Sequence, residues 1–318
     1  MDLEQRILSF GNIVMDGIYH VNELPVNNEK VFAHQVNWAP GGTAVHFANQ
    51  SAKIGTRASV LGWVGNDSIG IQLLQLLELN GVESSLHHIF NAQTPTSIIM
   101  VDDYGEKAVV LSPPMEESRL PAPEEVALYD LQEINHLHTH LFLKPYVDSL
   151  LRECRKLGIS SSLDIEALSV KSWGVEGVKD SIALATIIFV NESALHYLSP
   201  LAMSIEKSLL DLYNLGPDII ICMRGKSGCV VKSEQGMWSY PSIEVATSNS
   251  LAAGDIFASV FMNRYVGGAT INEAICYATA ASAVAISRSS IAVHYPTLKE
   301  IEDMLHGKGQ RLLDESRG

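Results

Sequence analysis

The part of this sequence best suited to chemistry is a run of small residues that ends in a carboxylate. It reads Asn249-Ser-Leu-Ala-Ala-Gly-Asp255, and the apolar spacing over Ala253–Val266 predicts that a helix begins there. Small side chains let the backbone approach a ligand closely, and the first amides of a helix lie at the positive end of its dipole. Such a turn binds anions, and an ionised Asp255 beside a phosphate could take a proton from an attacking hydroxyl. Because an Asp near a helix start also serves as an ordinary cap, the motif alone leaves both interpretations open.

A pair of glycines forms a second candidate site. Pro40-Gly41-Gly42 precedes a predicted helix at Ala44–Ile54, and Gly65-x-Asp67-x-x-Gly70 follows the next predicted strand. Glycines before a helix again permit close approach of the backbone to a ligand, but a turn followed by a cap explains the same residues.

Three histidines, His136, His138 and His140, alternate along a predicted strand and therefore share one face. Side chains on one face of a strand are about 6–7 Å apart, whereas zinc needs its ligands at about 2.0–2.1 Å, so one strand cannot readily supply all three. We therefore predict hydrogen-bonded histidines beneath the helices. His140, which is nearest the end of the strand, could reach a substrate.

Further charged residues follow other predicted strands. Arg224-Gly-Lys-Ser227 is similar to the end of a P-loop, but Ile220 stands where that motif needs glycine, which excludes it. Arg224 or Lys226 could lie beside nucleotide phosphates or be a solvated charge in a turn. Asp164 and Glu166 end a strand, where ligands collect in open α/β sheets, although a capping or surface role explains them equally well.

The elements that position these residues are apolar strands, which alternate with helices along most of the chain. This order predicts βαβ crossovers and an α/β fold with a mostly parallel sheet. The predicted strands are Ile7–Asn12, Ala58–Val64, His136–Phe142, Ser160–Ile165, Ile187–Asn191 and Ile219–Cys222, and the predicted helices are Ala44–Ile54, Ile69–Asn80, Val147–Lys156, Ile205–Asn214, Ala253–Val266 and Ile271–Ser287.

Two segments depart from this alternation of strands and helices. Gly17–Trp38 and Thr94–Leu111 alternate apolar and polar residues, which is typical of antiparallel strands with one wet face. We predict that together they form a small β appendage over the main sheet, within a single domain of residues 1–318.

Composition limits the class of protein. The 318 residues are 47% apolar and 18% charged, as in ordinary globular proteins, and 22 Lys and Arg against 36 Asp and Glu give a net charge of −14. That charge disfavours nucleic acids and anionic membranes as partners. The N-terminus lacks the basic start of a signal peptide, and no apolar run is long enough to span a membrane. The four cysteines have no C-x-x-C spacing, which favours reduced core thiols and a cytoplasmic location.

The ordered combination of these motifs resembles the ribokinase or PfkB family of carbohydrate kinases over nearly the whole chain. The residues that carry the resemblance are Gly11-Asn12, Asp16, Pro25, Gly41-Gly42, Gly55, Gly65-x-Asp67-x-x-Gly70, Asn191-Glu192, Arg224-Gly225-x-x-Gly228 and Asn249–Asp255. The family implies a three-layer α/β/α ribokinase-like fold whose small β-sheet lid corresponds to the two alternating segments. It also implies transfer of the γ-phosphoryl group of MgATP to a hydroxyl of a small sugar.

The resemblance assigns roles to individual residues. Asp255 matches the catalytic base, and the backbone of Ala252, Ala253 and Gly254 matches the anion hole. The positions that match those holding the sugar are Asp16, Gly41, Gly42 and His46, and those that border the nucleotide are Asn191, Met223, Arg224, Gly225 and Gly228. ATP and Mg²⁺ are the implied cofactors, K⁺ is a further candidate, and the lid implies a homodimer.

Several departures from the family pattern keep alternatives open. His46 replaces an Asn of the Gly-Gly motif, Ala194 replaces the Glu of an Asn-x-x-Glu motif, and Asn249 with Ser250 replaces the commoner Asp-Thr. One alternative is a nucleoside kinase of the same family whose base stacks on Trp38 or Phe47. Another is a catalytically weak relative that binds a sugar or nucleotide. The sequence names neither the acceptor nor the hydroxyl that is phosphorylated.

Overall fold

Two β-sheets organise the protein. The structure is a computed structural model that describes residues 5–129, 131, 133–200, 204–247, 250–288 and 293–309. Asn249 lies outside these residues. The strands are β1 (Arg6–Phe10), β2 (Val14–His20), β3 (Gln35–Gly41), β4 (Arg57–Gly65), β5 (Glu83–Ile89), β6 (Thr96–Val101), β7 (Lys107–Leu111), β8 (His136–His140), β9 (Ser160–Ile165), β10 (Ile187–Asn191), β11 (Ile219–Met223), β12 (Cys229–Ser233) and β13 (Gly236–Tyr240).

Helices connect these strands. They are α1 (Thr43–Lys53), α2 (Ser68–Leu79), α3 (Pro123–Tyr129), α4 (Lys144–Leu157), α5 (Ala167–Ile182), α6 (Glu192–Leu198), α7 (Ile205–Tyr213), α8 (Ala253–Val266), α9 (Ile271–Ser287) and α10 (Leu298–Gly307).

The large sheet has nine strands in the order β13-β12-β11-β10-β9-β8-β1-β4-β5. Every pairing from β11 to β5 is parallel, and only the β12–β13 hairpin adds antiparallel strands at one edge. Successive residues of a strand enter different cores: Ile188 packs in one apolar cluster, whereas Ile187 and Phe189 pack in the other, with α8 and α9. Because both faces of the sheet are covered by helices, its central strands are apolar throughout. The predicted mostly parallel α/β fold is confirmed.

The small sheet has four strands in the order β3-β2-β6-β7. Its two hairpin-like pairs, β2–β3 and β6–β7, are antiparallel, but β2 and β6 are parallel. The expectation of antiparallel strands was therefore wrong for the pairing of β2 with β6. The short connection between β6 and β7 requires those two strands to run antiparallel, whereas the long connection from β2 to β6, which includes α1, β4, α2 and β5, allows these strands to pair in parallel.

Some elements escaped the sequence analysis. Helix α5 was not predicted, and its glycines explain why: at Gly174, φ is 71°, outside the helical range, so the apolar period is interrupted there. All four cysteines are buried, as predicted for core residues, and burial raises the pKa of Cys154, Cys222 and Cys229 to about 12. In the described part of the chain, every helix falls short of the length and apolarity that a membrane crossing requires.

Candidate active site

A cavity of about 410 Å³ lies where the carboxyl ends of the central strands meet the start of α8. Asp164 and Asn191 reach it from the ends of β9 and β10, and residues 252–255 close its other side. Ligands of open α/β sheets bind at this edge, because loops and helix N-termini converge there. The small-residue turn singled out in the sequence therefore faces a cleft.

The turn has an unusual backbone. Ala252 is the N-cap of α8 with φ 58° and ψ 14°, a left-handed conformation that costs a non-glycine residue about 1–2 kcal/mol. Its methyl side chain cannot accept a hydrogen bond, so it caps none of the first amides of α8. Strain of this kind is typical of ligand-binding turns, where the backbone itself forms the site. The turn can hold an anion through its amides.

Asp255 lies in the first turn of α8 and is only 8% exposed. Its Oδ1 atom is 3.2 Å from His140 Nε2, at the end of β8. His140, Asp164 and Asp255 each offer a donor atom, and these atoms lie within 4.8 Å of one another. The proposed base therefore belongs to a buried cluster of titratable groups.

Charges within this cluster shift its protonation. Burial by itself lowers the pKa of His140, but the hydrogen bond with Asp255 and the charges of Asp164, Asp255 and Glu166 raise it to about 9. Burial raises the pKa of Asp164 to about 7, against the attraction of His140. His140 is therefore an imidazolium at neutral pH. The sequence singled out His140 as a possible substrate contact but did not pair it with Asp255.

The glycine pair lies against Asp16. A Cβ atom on Gly41 would be 1.8 Å from Asp16 Oδ2, and one on Gly42, where φ is 94°, would be 2.2 Å from the Asn12 carbonyl oxygen. Asp16 is buried, and its Oδ1 accepts a hydrogen bond from the Ser97 hydroxyl. Burial raises the pKa of Asp16, although Ser97 and the nearby His46 oppose the shift. Only glycine leaves room for this carboxylate.

Ser97 and Tyr295 are site residues that sequence reasoning missed. Ser97 is brought opposite Asp16 by the parallel register of β2 and β6, which no local pattern indicates. Tyr295 places its hydroxyl 2.8 Å from His46 Nδ1 and 3.2 Å from Asn49 Nδ2. Burial raises the pKa of Tyr295 well above its usual range, and the carboxylates of Asp255 and Asp16 raise it further. Tyr295 thus lies close enough to both carboxylates to feel their electrostatic field.

The residues expected beside a nucleotide divide into two groups. Asn191, Met223, Gly225 and Gly228 line the cavity. Arg224 lies outside the cavity lining and pairs with Glu192 across 3.6 Å. At Gly228, φ is 78° and an added Cβ would be 1.9 Å from the Tyr240 carbonyl oxygen, so this turn requires glycine. The Asn191 side chain accepts a hydrogen bond from the Ala194 amide, which makes it the N-cap of α6.

The proposed stacking residues differ from each other. Phe47 is buried, and its ring stacks on His138 with centroids 3.9 Å apart, so it cannot receive a nucleobase, contrary to the suggestion from the sequence. Trp38 is 47% exposed on the small sheet and packs edge-on against Tyr19. Of these two residues, only Trp38 could stack on the ring of a ligand.

Comparison with known proteins agrees with this architecture. A model of the pfkB family of carbohydrate kinases matches residues 4–298. The chain is 26% identical over 290 residues to the ATP-dependent ribose-1-phosphate kinase of Halopiger xanaduensis, covering 89% of this chain and 92% of that one. It is 22% identical over 306 residues to a nucleoside kinase of Methanothermobacter thermautotrophicus, covering 94% and 95%.

A solved structure has the same fold. A putative ribokinase II from E. coli, in complex with ATP and Mg²⁺, superposes with a TM-score of 0.80 at 20% identity and covers 95% of this chain and 99% of that one. The family model spans the small-residue turn at α8, the glycine pair and the strand ends that line the cavity. The resemblance seen in the sequence is confirmed, and the chain belongs to the pfkB family of carbohydrate kinases.

Proposed function

We propose that this protein is an ATP-dependent kinase that transfers the γ-phosphoryl group of MgATP to a hydroxyl of a small sugar. The observation that carries the proposal is the strained turn at Ala252, which aims bare amides at a cleft beside the buried Asp255. Phosphoryl transfer needs little else from a protein than positioning and charge stabilisation.

In this mechanism Asp255 is the general base. Its carboxylate accepts the proton of the acceptor hydroxyl as that oxygen attacks the γ-phosphorus and the bond from this phosphorus to the departing ADP breaks. The amides of Ala253, Gly254 and Asp255 at the start of α8 stabilise the negative charge on the transferred group, helped by the helix dipole. Ala252 contributes the turn that directs them.

The lining of the cavity suits MgATP. Asn191, Met223, Gly225 and Gly228 would border the nucleotide, and the Glu166 carboxylate would meet the Mg²⁺ ion through its water shell. When bound, Mg²⁺ would neutralise negative charge on the phosphates. Arg224 pairs with Glu192, so its role in the proposal is to support the turn near the nucleotide. A dependence on K⁺ is part of the proposal and is tested by replacing K⁺ with Na⁺ in the assay.

The acceptor would bind at Asp16, Gly41, Gly42 and His46. Because Gly41 has no side chain, it leaves room beside the buried carboxylate of Asp16. That carboxylate is well suited to accept hydrogen bonds from sugar hydroxyls. A nucleoside is the second candidate, because the exposed ring of Trp38 on the small sheet could stack on a base. A binding protein with weak activity is the third, since the buried Ala194 supplies no carboxylate where the family has one.

A screen for ADP release tests the proposal. Sugars, sugar phosphates and nucleosides would be assayed with MgATP, using wild type, Asp255→Ala and a surface control, Asp180→Asn, on α5. We expect turnover with a sugar and a loss of at least about 10³-fold in Asp255→Ala only. Turnover confined to nucleosides would select the second candidate. Ligand binding by calorimetry without ADP release would select the third.

The proposal includes a cytoplasmic homodimer. The small sheet and the segment before β3 carry exposed apolar side chains that a second copy of this sheet would cover; they are Val31, Val36, Trp38, Val109, Val110 and Leu111. Closure of this sheet as a lid would exclude water that otherwise hydrolyses ATP. The cytoplasmic supply of MgATP and the burial of all four cysteines support the location.

A further inference from the structure

A chain of hydrogen bonds runs through the core of the large sheet and ends at Asp255. Strands β8 and β9 pair in parallel so that His136 faces Ser160, His138 faces Ser162 and His140 faces Asp164. The three imidazoles are 0%, 0% and 5% exposed. Side chains at alternate positions thus form one continuous row inside the protein.

Every link of the row is within hydrogen-bond range or close to it. His136 Nδ1 is 2.9 Å from Ser160 Oγ and His136 Nε2 is 2.8 Å from Ser162 Oγ. His138 Nδ1 is 2.7 Å from Ser162 Oγ, and His138 Nε2 is 3.4 Å from His140 Nε2. His140 Nε2 is in turn 3.2 Å from Asp255 Oδ1. Such a row places the His140 ring relative to Asp255.

One assignment of protons satisfies all these contacts. A carboxylate only accepts, so His140 must carry hydrogen on Nε2, and this one hydrogen is shared between Asp255 Oδ1 at 3.2 Å and His138 Nε2 at 3.4 Å, both of which accept. Neutral His138 therefore donates from Nδ1 to Ser162, whose hydroxyl donates to His136 Nε2, and His136 Nδ1–H donates to Ser160. Burial lowers the pKa of His136 to about 3 and that of His138 well below its usual range, which keeps both rings neutral.

We propose that His140 is a positioning residue for Asp255, and that the row of Ser160, His136, Ser162 and His138 holds His140 in the orientation that donates to Asp255. This inference rests on the proposed function. The hydrogen bond occupies Asp255 Oδ1 and leaves Oδ2 for the acceptor hydroxyl. The cationic ring also places a positive charge beside the carboxylate of Asp255.

The groups around His140 come from each element that packs on it. Asp164 and Glu166 face it from the end of β9, Asp255 from α8 and His138 from its own strand. Phe47 of α1 stacks on His138 and Phe189 of β10 lies against its edge, so the row is also clamped by apolar rings. The row is thus built to be rigid.

Variants of His140 test the positioning. In His140→Phe we expect kcat to fall by about 10²-fold with little change in the KM for ATP, because the base is misplaced while the nucleotide site is intact. The pH–rate profile of His140→Phe should differ from that of wild type, since the variant lacks the titrating imidazole beside Asp255. His140→Gln keeps a donor and should recover part of kcat without restoring the wild-type pH profile.

Two adjacent serines provide a matched pair for the row. Ser162→Ala breaks the link between His138 and His136 and should lower kcat by about 3–10-fold. Ser161→Ala removes an equally buried hydroxyl that contacts Thr186 instead, and should leave kcat unchanged. Equal effects of the two variants would overturn the role of the row.

A measurement without substrate separates this inference from the proposed function. NMR titration of the imidazoles should give His140 a raised pKa in wild type and a clearly lower one in Asp255→Asn. An unchanged His140 titration in Asp255→Asn, or a wild-type kcat and pH profile in His140→Phe, overturns the inference while the kinase assignment stands. If the His140 titration responds to Asp255→Asn but the protein phosphorylates no acceptor, the pairing of His140 with Asp255 is established and the kinase assignment is overturned.

Discussion

The two sheets contribute to the site in different ways. In the large sheet, His140 ends a strand that is buried from end to end, and Asp255 lies in the first turn of α8, which packs between α1 and α9. In the small sheet, Asp16 and Gly41 lie on strands whose sheet has one exposed side, as in β7, where the last three residues are exposed. The comparison indicates that the groups proposed for chemistry lie in a core covered by helices, whereas the groups proposed for acceptor choice, although buried themselves, belong to a sheet whose exposed side can vary with little cost to that core.

Within the small sheet, the largest expected effect is that of replacing Asp16. Asp16→Ala should lower kcat/KM for the acceptor by about 10²-fold or more, because hydroxyls would lose their buried partner. Calorimetric affinity for MgATP should stay unchanged, since the nucleotide cavity belongs to the other sheet. Weakened ATP binding in this variant would contradict the division between the sheets.

A methyl group on Gly41 should have the next largest effect. Gly41→Ala places a carbon against Asp16 Oδ2 and should lower kcat/KM for the acceptor by about 10-fold or more, through displacement of the carboxylate. Gly307→Ala, in α10, is the matched control, because its added Cβ meets no atom within 4 Å. Steady-state kinetics with varied acceptor would distinguish the two; an equal response would remove the assignment of Gly41.

The buried cluster of the large sheet predicts how stability depends on pH. The pKa of His140 is raised from 6.5 to about 9, so the folded state binds more protons than the unfolded state between these values. The stabilisation is present below pH 6.5 and is lost as pH rises through 9, by about 1–3 kcal/mol. His136 and His138, whose pKa values are lowered, act only below pH 6.5.

Denaturant unfolding at pH 6.5 and pH 9 measures this loss. In His140→Gln the free energy of unfolding should change much less across the same interval. An identical slope in wild type and variant would show that another group titrates there.

The smallest expected effect on activity concerns the outer face of the small sheet. Val110 is 57% exposed, and Val110→Asp should shift sedimentation from dimer to monomer while kcat changes by less than about 2-fold. A wild-type protein that sediments as a monomer would remove the proposed interface. A large loss of kcat in the variant would place part of the site at that interface.

Local sequence patterns determined much of this protein. The strands Ser160–Ile165 and Ile187–Asn191 and the helices Ala253–Val266 and Ile271–Ser287 have the predicted bounds, because apolar periodicity and turn residues are read over a few neighbouring positions. The same holds for the small-residue turn before Asp255. Family membership followed from the order of such local motifs.

Only the tertiary structure decided which side chains meet. The pairing of His140 with Asp255, of Asp16 with Ser97 and of His46 with Tyr295 joins residues 115, 81 and 249 positions apart. These contacts depend on strand register and on the crossing of helices over the sheet, which are set by packing of the whole core. The sequence therefore contains the proposed reacting groups as separate motifs, and folding arranges them around one cleft.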